Sequence, residues 1–282
     1  MQISLAKSAG FCFGVKRALN IALKLAESGE RVEMLGDIVH NEDVAKRIYK
    51  AGIKKVKILR KGKNKIFLIP AHGIGKDRVK RAAHLGYRII DATCPMVKEI
   101  HKIATDMEEK GCRIIIIGDK KHDEVHGIAG QLRKKAIVID SPAHIPWGAI
   151  QGIKKACVVV QSTQNLANVL KIVGAIKPFI QELKFFNTIC TPTKTKQEEI
   201  KTMPVQNDVM IIIGSKISAN TKRLYEISKS LNRQSYWVQS KQDLKPAWFK
   251  GIKRVGVTSG ASTPDTTTQE IIEHIKQQEN LS

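Results

Sequence analysis

Cys12, Cys94 and Cys190 are the residues whose type and setting point first to chemistry. Cys94 lies in Asp91-Ala92-Thr93-Cys94-Pro95-Met96-Val97, after the apolar Arg88-Ile89-Ile90 and before a run from Val97 to Ala104 with apolar residues at helical spacing. The thiol therefore sits where a strand hands over to a helix, with Pro95 in a first turn that has no use for the missing N–H. The positive end of the helix dipole favours thiolate, the form that attacks carbon or binds metal. One such cysteine alone is as readily a buried structural residue. The setting recurs, however. Gln2-Ile3-Ser4-Leu5-Ala6 leads to Gly10-Phe11-Cys12-Phe13-Gly14 and a helical run to Ala22. Leu183-Lys184-Phe185-Phe186 leads to Thr188-Ile189-Cys190-Thr191-Pro192 and then Lys196 to Ile200.

The intervals are 82 residues from Cys12 to Cys94 and 96 from Cys94 to Cys190, with 92 left to the end. The chain reads as three units of one plan, with domains over 13–93, 94–189 and 190–282 and residues 1–12 packing near the centre. About 20 residues after each cysteine comes a strand: Val32–Leu35, Arg113–Ile117 and Val209–Ile213. A second follows in each unit, at Ile66–Ile69, Cys157–Val160 and Arg254–Val257, with amphipathic runs such as Asp43–Tyr49 and Thr221–Ile227 between them. Strand and helix in alternation imply an α/β fold of mainly parallel sheets covered by helices.

Ligands of open parallel sheets collect beyond the carboxyl ends of the strands. Six such ends carry polar or glycine-bearing loops. They hold His40 and Asn41, Ala71-His72-Gly73, His122-Asp123-Glu124, Gln161-Ser162-Thr163-Gln164, Gly214-Ser215-Lys216-Ile217-Ser218-Ala219-Asn220, and Ser259-Gly260-Ala261-Ser262-Thr263-Pro264-Asp265. If the three sheets face a common centre, these loops and the three cysteines line one cavity.

Composition bounds the reading. The net charge of +22, from 48 Lys+Arg against 26 Asp+Glu, calls for an anionic partner but does not choose among nucleic acid, an acidic protein and a phosphorylated small molecule. The basic run Lys54–Lys65 lacks an aromatic stacking platform and reads as a solvated face or loop. Five dispersed cysteines argue against a disulfide framework. Cys112 and Cys157 flank strands as small hydrophobes, and His84, His101, His126, His144 and His274 fall on helix faces, surfaces or turns. No apolar run is of spanning length, and Cys12 stands too near Met1 for a cleaved leader, so a soluble cytoplasmic protein is expected.

Three thiolates can hold a cubane 4Fe-4S cluster by three of its irons, leaving one open iron, whereas a purely electron-carrying cluster takes four cysteines. A zinc ion with three protein ligands and an open position fits the same residues, and spacing does not separate the two. His40, His72 and His122 with Ser218, Asn220 and Ser262 supply donors suited to a phosphate or diphosphate bound without magnesium. The sequence has no GxxxxGK[ST] loop, which disfavours ordinary nucleotide binding. Glu124, near Ser162 or Thr163 as a proton relay, is a candidate general acid.

Gly10-Phe11-Cys12-Phe13-Gly14-Val15, Val39-His40-Asn41, Ala71-His72-Gly73, Asp91-Ala92-Thr93-Cys94-Pro95, His122-Asp123-Glu124-Val125, Gly214-Ser215-Lys216 and the Ser259–Asp265 segment resemble, in order and over the whole chain, the 4-hydroxy-3-methylbut-2-enyl diphosphate reductase family. The resemblance implies three pseudo-threefold-related α/β domains in a cloverleaf around a central cluster cavity. It also implies reductive dehydroxylation of an allylic diphosphate, the last step of the methylerythritol phosphate route to isoprenoids. By position, Cys12, Cys94 and Cys190 would hold a 4Fe-4S cluster with one open iron. His40, His72, His122, Ser218, Asn220 and Ser262 would grip the diphosphate, and Glu124 would deliver protons through Ser162 or Thr163. Reduced ferredoxin or flavodoxin, both acidic, would supply electrons; membrane and nucleic acid are not expected as partners.

The chain departs from the family pattern in three places. Ser162 and Thr163 stand where two threonines are usual. Ile217-Ser218-Ala219-Asn220 lacks one of two paired serines, and the usual Ala-Thr and Arg-Gln after the third cysteine are Pro192-Thr193 and Lys196-Gln197. Ala219 removes a hydroxyl donor, which predicts weaker substrate affinity unless a lysine such as Lys216 offsets it. Two other readings remain: a drifted paralogue or iron-sulfur hydro-lyase on another phosphorylated alcohol, and a basic nucleic-acid-binding protein with structural cysteines.

Overall fold

Short Val- and Ile-rich runs too brief for buried helices become the middle strands of parallel sheets. The computed structural model describes residues 1–279. From the N-terminus, β1 (Gln2–Leu5) leads to α1 (Phe13–Glu27), β2 (Arg31–Leu35), α2 (Glu42–Lys50), β3 (Lys54–Val56), β4 (Lys65–Ile69), α3 (Lys76–His84) and β5 (Arg88–Asp91). Next come α4 (Pro95–Glu109), β6 (Arg113–Ile117), α5 (Asp123–Ala129), β7 (Ile137–Ile139), α6 (Trp147–Ile150), β8 (Lys155–Val160), α7 (Leu166–Ile176) and β9 (Glu182–Phe185). The chain continues with α8 (Thr191–Gln206), β10 (Val209–Ile213), α9 (Ala219–Leu231), β11 (Ser235–Val238), β12 (Arg254–Ser259) and α10 (Asp265–Glu279).

These strands form three four-stranded sheets, ordered β1-β12-β10-β11, β5-β4-β2-β3 and β9-β8-β6-β7, and every pair is parallel. The α/β class with parallel sheets is as the sequence predicts. The order is one pattern used three times: the strand leading to a cysteine lies at an edge and pairs with the strand whose end carries a polar loop. The chain divides into two compact units. One holds Met1–Val15, His40–Ala45 and the residues from Thr191 onward; the other holds Lys16–Val39 and Lys46–Cys190. The first unit contains the β1 sheet, and the second contains the other two.

Burial on both faces explains why the middle strands are continuous apolar runs rather than alternating ones. In β6, Ile114 and Ile116 pack with Ile100, Ala104, Val125 and Ile128 of α4 and α5, while Ile115 and Ile117 pack with Ile150, Val169, Ile172 and Ile176 of α6 and α7. In β10, Val209, Ile211 and Ile213 face Ile271 and Ile275 of α10, and Met210 and Ile212 face Ile200 and Leu224 of α8 and α9. Each fully buried side chain of this kind contributes about 1.5–3 kcal/mol relative to exposure.

The outer strands β3, β7 and β11 lie beyond what the sequence pattern predicts. Lys54–Val56 opens the basic run expected to be a solvated face or loop, and it is instead an edge strand with exposed Lys54 and Lys55. An edge strand has one neighbour to pair with, and lysines there discourage further pairing.

Gly10 shows how tightly the loop before Cys12 is built. Its φ is +88°, and a Cβ there would lie 1.9 Å from Asp265 Oδ1. Gly29 has φ +71° with nothing within 4 Å of its ideal Cβ. Gly29→Ala is expected to cost only the left-handed penalty of about 1–2 kcal/mol. Gly10→Ala is expected to cost more, because Asp265 at the start of α10 must also move. Denaturant melts of the two variants check the order.

Candidate active site

Each cysteine is fixed by the same main-chain bond. The amide of Cys12 donates to Ala261 O at 3.1 Å, that of Cys94 to Ala71 O at 2.9 Å, and that of Cys190 to Ser162 O at 3.1 Å. Ala261, Ala71 and Ser162 are each the second residue beyond a middle strand, β12, β4 and β8. Each cysteine also stands one residue before a helix, α1, α4 or α8, and Cys94 is the N-cap of α4 with Pro95 in its first turn. All three are partly exposed, whereas Cys112 and Cys157 are buried. Burial pushes the Cys157 thiol up to about 12, the behaviour of an inert core residue.

In the second unit the loops around Cys94 and Cys190 are laced by side chains. Thr93 N donates to Asp91 Oδ1 at 2.8 Å, Lys98 pairs with Asp91 Oδ2 at 2.6 Å, and Arg17 reaches Thr93 O at 3.2 Å. Burial works to raise the Asp91 carboxyl, but bonds from Lys98 and Thr93 outweigh it and hold the group below its usual range. The Thr188 hydroxyl, two residues before Cys190, accepts from Val160 N at 2.8 Å and so ties this loop to the end of β8.

Glu124 and Ser162, 38 positions apart in sequence, meet directly. Ser162 N donates to Oε1 at 2.6 Å and the Ser162 hydroxyl donates to Oε2 at 2.8 Å. Glu124 is 4% exposed, and burial pushes its carboxyl above the ordinary value despite the two bonds from Ser162. Of the two hydroxyls left open by sequence, Ser162 is the one on Glu124; Thr163 Oγ1 accepts from Gln161 Nε2 at 3.0 Å. Ser162 also carries the carbonyl that receives the Cys190 amide, so this one residue touches both the Glu124 carboxyl and the segment that holds Cys190.

His122 caps α5, its Nδ1 accepting from Glu124 N at 3.1 Å. That bond assigns the proton of the neutral ring to Nε2, which makes the far edge a donor. His72, buried at the end of β4, has Nε2 3.7 Å from Asp123 Oδ2. The two border a cavity of about 450 Å³ that is also lined by Lys57, Arg78 and His126. Asp123 and Arg17 have no role in the sequence reading, since a carboxylate beside a histidine and an arginine on a basic helix are legible only once the strands are paired. His101, on α4, is partly buried behind Gly73: a Cβ on Gly73 would meet its ring at 2.8 Å. Burial presses its pKa down to about 4, so it backs the His72 turn as a neutral ring.

The first unit brings together the remaining residues. Gly10 N donates to Ser259 Oγ at 2.6 Å, and the Ser262 hydroxyl donates to His40 O at 3.3 Å. Asn41 caps α2, its Oδ1 accepting from Asp43 N and Val44 N at 3.1 Å each. Ser218 caps α9 by accepting from Thr221 N at 3.3 Å, which leaves its own O–H able to donate outward. Asn220, in the first turn of α9, is 4% exposed, yet neither its Oδ1 nor its Nδ2 has a hydrogen-bond partner among the described residues. A buried amide of this kind costs stability until something fills its bonds, so it is the position where a ligand is most plainly called for. Lys216, named as one lysine that could compensate for the hydroxyl missing at Ala219, donates to Trp237 O at 2.6 Å and lies 4.4 Å from the centre of the Trp237 ring, so its ammonium is turned to β11.

Comparison with known proteins adds a second line. The model of the family described as LytB protein matches residues 3–276. The 4-hydroxy-3-methylbut-2-enyl diphosphate reductase of Aquifex aeolicus is 38% identical over 281 residues, covering 98% of this chain and 96% of that protein. Its counterpart in Geotalea uraniireducens is 37% identical over 279 residues, covering 98% and 97%. Among solved structures, that of an (E)-4-hydroxy-3-methyl-but-2-enyl diphosphate reductase, the terminal enzyme of the non-mevalonate pathway, has a TM-score of 0.73 at 38% identity and covers 98% of this chain and 100% of its own. The Plasmodium falciparum reductase structure has a TM-score of 0.87 at 26% identity, covering 96% and 87%.

Proposed function

The chain belongs to the LytB protein family, and on that premise we propose that it reduces 4-hydroxy-3-methylbut-2-enyl diphosphate to isopentenyl and dimethylallyl diphosphates. The observation that carries the reading furthest is the triple anchoring of Cys12, Cys94 and Cys190, one at each strand-to-helix handover. The donor set fits an iron-sulfur group: three partly exposed thiols, apart from two cysteines buried in the core. Cys12, Cys94 and Cys190 would hold a 4Fe-4S cluster, which would supply electrons and Lewis-acid assistance to carbon–oxygen cleavage.

The rest of the work falls to side chains. His40, His72, His122, Ser218, Asn220 and Ser262 bind the diphosphate as donors, and Lys55, Lys57 and Arg78, which share the cavity border beside His72 with Asp77 and Asp123, add positive charge toward it. Two electrons enter, the allylic C–O bond breaks, and the hydroxyl leaves as water after taking a proton. A second proton goes to carbon. Glu124 is the proton source, passing protons through the Ser162 hydroxyl that touches its Oε2. The buried, raised carboxyl is the state that suits an acid. The electron donor is an acidic redox protein such as ferredoxin or flavodoxin, matching the charge of +22. The setting is the cytoplasm; among the described residues no helix is long and apolar enough to cross a membrane. A match over nearly the whole chain does not favour the paralogue, hydro-lyase or nucleic-acid readings.

Anaerobic turnover with reduced viologen tests this. Consumption of the allylic diphosphate with both five-carbon products is expected, and iron-loaded protein that leaves the substrate intact overturns it. Asn220→Ala is expected to raise KM about tenfold or more, the loss of a bond to a charged group being worth about 1.5–3 kcal/mol. The same change should leave the ligand-free melting temperature unchanged or higher, because the amide has no partner to lose. A lower melting temperature with unchanged KM would assign Asn220 to structure.

A further inference from the structure

Lys196 is one of 48 Lys and Arg residues in the chain, and the only buried one among the described residues. It lies on α8, 2% exposed, with no carboxylate among the described residues in a salt bridge to it. Its ammonium donates instead to three main-chain carbonyls: Ser8 O in a short contact, Gly10 O at 3.3 Å and Ser259 O at 3.0 Å. One turn further along α8, Glu199 Oε2 accepts from Ser8 N at 3.1 Å and from the Ser8 hydroxyl. The two side chains thus grip the loop that carries Cys12, while Ser259 opens the loop that carries Ser262.

We propose that Lys196 is a positioning residue: it locks the Cys12 loop to the Ser259–Ser262 loop and holds a buried positive charge on the Gly10 carbonyl, two residues before Cys12. Three observations support this. The lysine bridges two loops that are otherwise joined by Gly10 N on Ser259 Oγ and Cys12 N on Ala261 O, so its three bonds and these two act on one short stretch. Burial presses the Lys196 pKa down to about 8, while the charges of Cys12, Glu199 and Asp265 pull it back up. A buried cation balanced by carbonyl dipoles is expensive to hold for packing alone, since an apolar side chain of similar length would fill the space without desolvating a charge.

The inference deepens the cluster reading and rests on it for its redox half. The test is K196M against K196R in the full chain purified anaerobically. Three quantities are read: hydrogen exchange at the Gly10 and Cys12 amides, iron per chain, and the cluster midpoint potential. K196M is expected to exchange at these amides about tenfold faster or more, to hold less iron, and to carry a cluster with a more negative potential, because a cation favours the reduced state. K196R, which keeps a charge and several donors, is expected to restore all three toward wild type. If K196M does not fold, K196Q replaces it; Gln keeps one donor and loses the charge, so the potential should still fall. Wild-type exchange, iron and potential in K196M or K196Q overturn the proposal. Faster exchange in K196M of a protein that never holds iron upholds the positioning role and overturns the cluster reading alone.

Discussion

Glu124→Gln is expected to lower turnover by about 10²–10⁴-fold, the usual range for a positioned general acid, while iron content and substrate KM stay near wild type. Glutamine is nearly isosteric and can keep both contacts to Ser162. Its carbonyl accepts from Ser162 N, and its amide donates to the hydroxyl that now points the other way. What is lost is the proton. The pH dependence follows from the direction of the shift. Burial raises the carboxyl above its ordinary 4.5, so the donating form persists below the raised value, and turnover falls as pH rises through it. The linkage has the same sign. A carboxyl raised in the folded protein contributes stability below its unfolded pKa, and that stability is lost as pH rises through the folded value. Glu124→Gln should therefore be relatively more stable than wild type at alkaline pH. Turnover within threefold of wild type, or an unchanged pH profile, would remove Glu124 from the proton path.

Cys94→Ser is expected to abolish turnover and to lose most of the bound iron. Outer-shell partners of metal ligands cost about 10–100-fold in affinity when removed, and a direct thiolate costs more. Cys12→Ser and Cys190→Ser should match it, because the three thiols are anchored alike. Cys112→Ala is the control. That residue is buried in the core with Ile114 and Met107, so its loss should lower stability slightly and leave iron in place. Iron retained at wild-type level in any of the three serine variants would show that the corresponding cysteine is not a ligand.

The middle strands were legible because burial on both faces leaves runs such as Arg113–Ile117 and Val209–Ile213 with almost no polar residue. The edge strands were not. Lys54-Lys55-Val56 pairs with β2 through its backbone, and its exposed side chains carry the chemistry of a loop. The same limit applies to the site. Strand-end logic reached Glu124 and Ser162 separately, and parallel pairing of β6 with β8 then makes them neighbours. It could not decide between Ser162 and Thr163, which depends on side-chain direction past the end of β8. Lys196 stood out only as a departure from a familiar pattern, since a lysine in a lysine-rich chain carries no mark of burial. Asn220 differs again: sequence named it as a donor, and its unfilled amide gives that role a physical motive.

The central claim is that three thiolates hold a four-iron cluster with one iron left for the substrate. Electron paramagnetic resonance of the dithionite-reduced protein, recorded with and without 4-hydroxy-3-methylbut-2-enyl diphosphate, tests it most directly. The account predicts a cluster signal whose g-values move when the substrate is added and stay put in the absence of ligand. A signal indifferent to saturating substrate, or a colourless protein carrying one zinc ion, would contradict it.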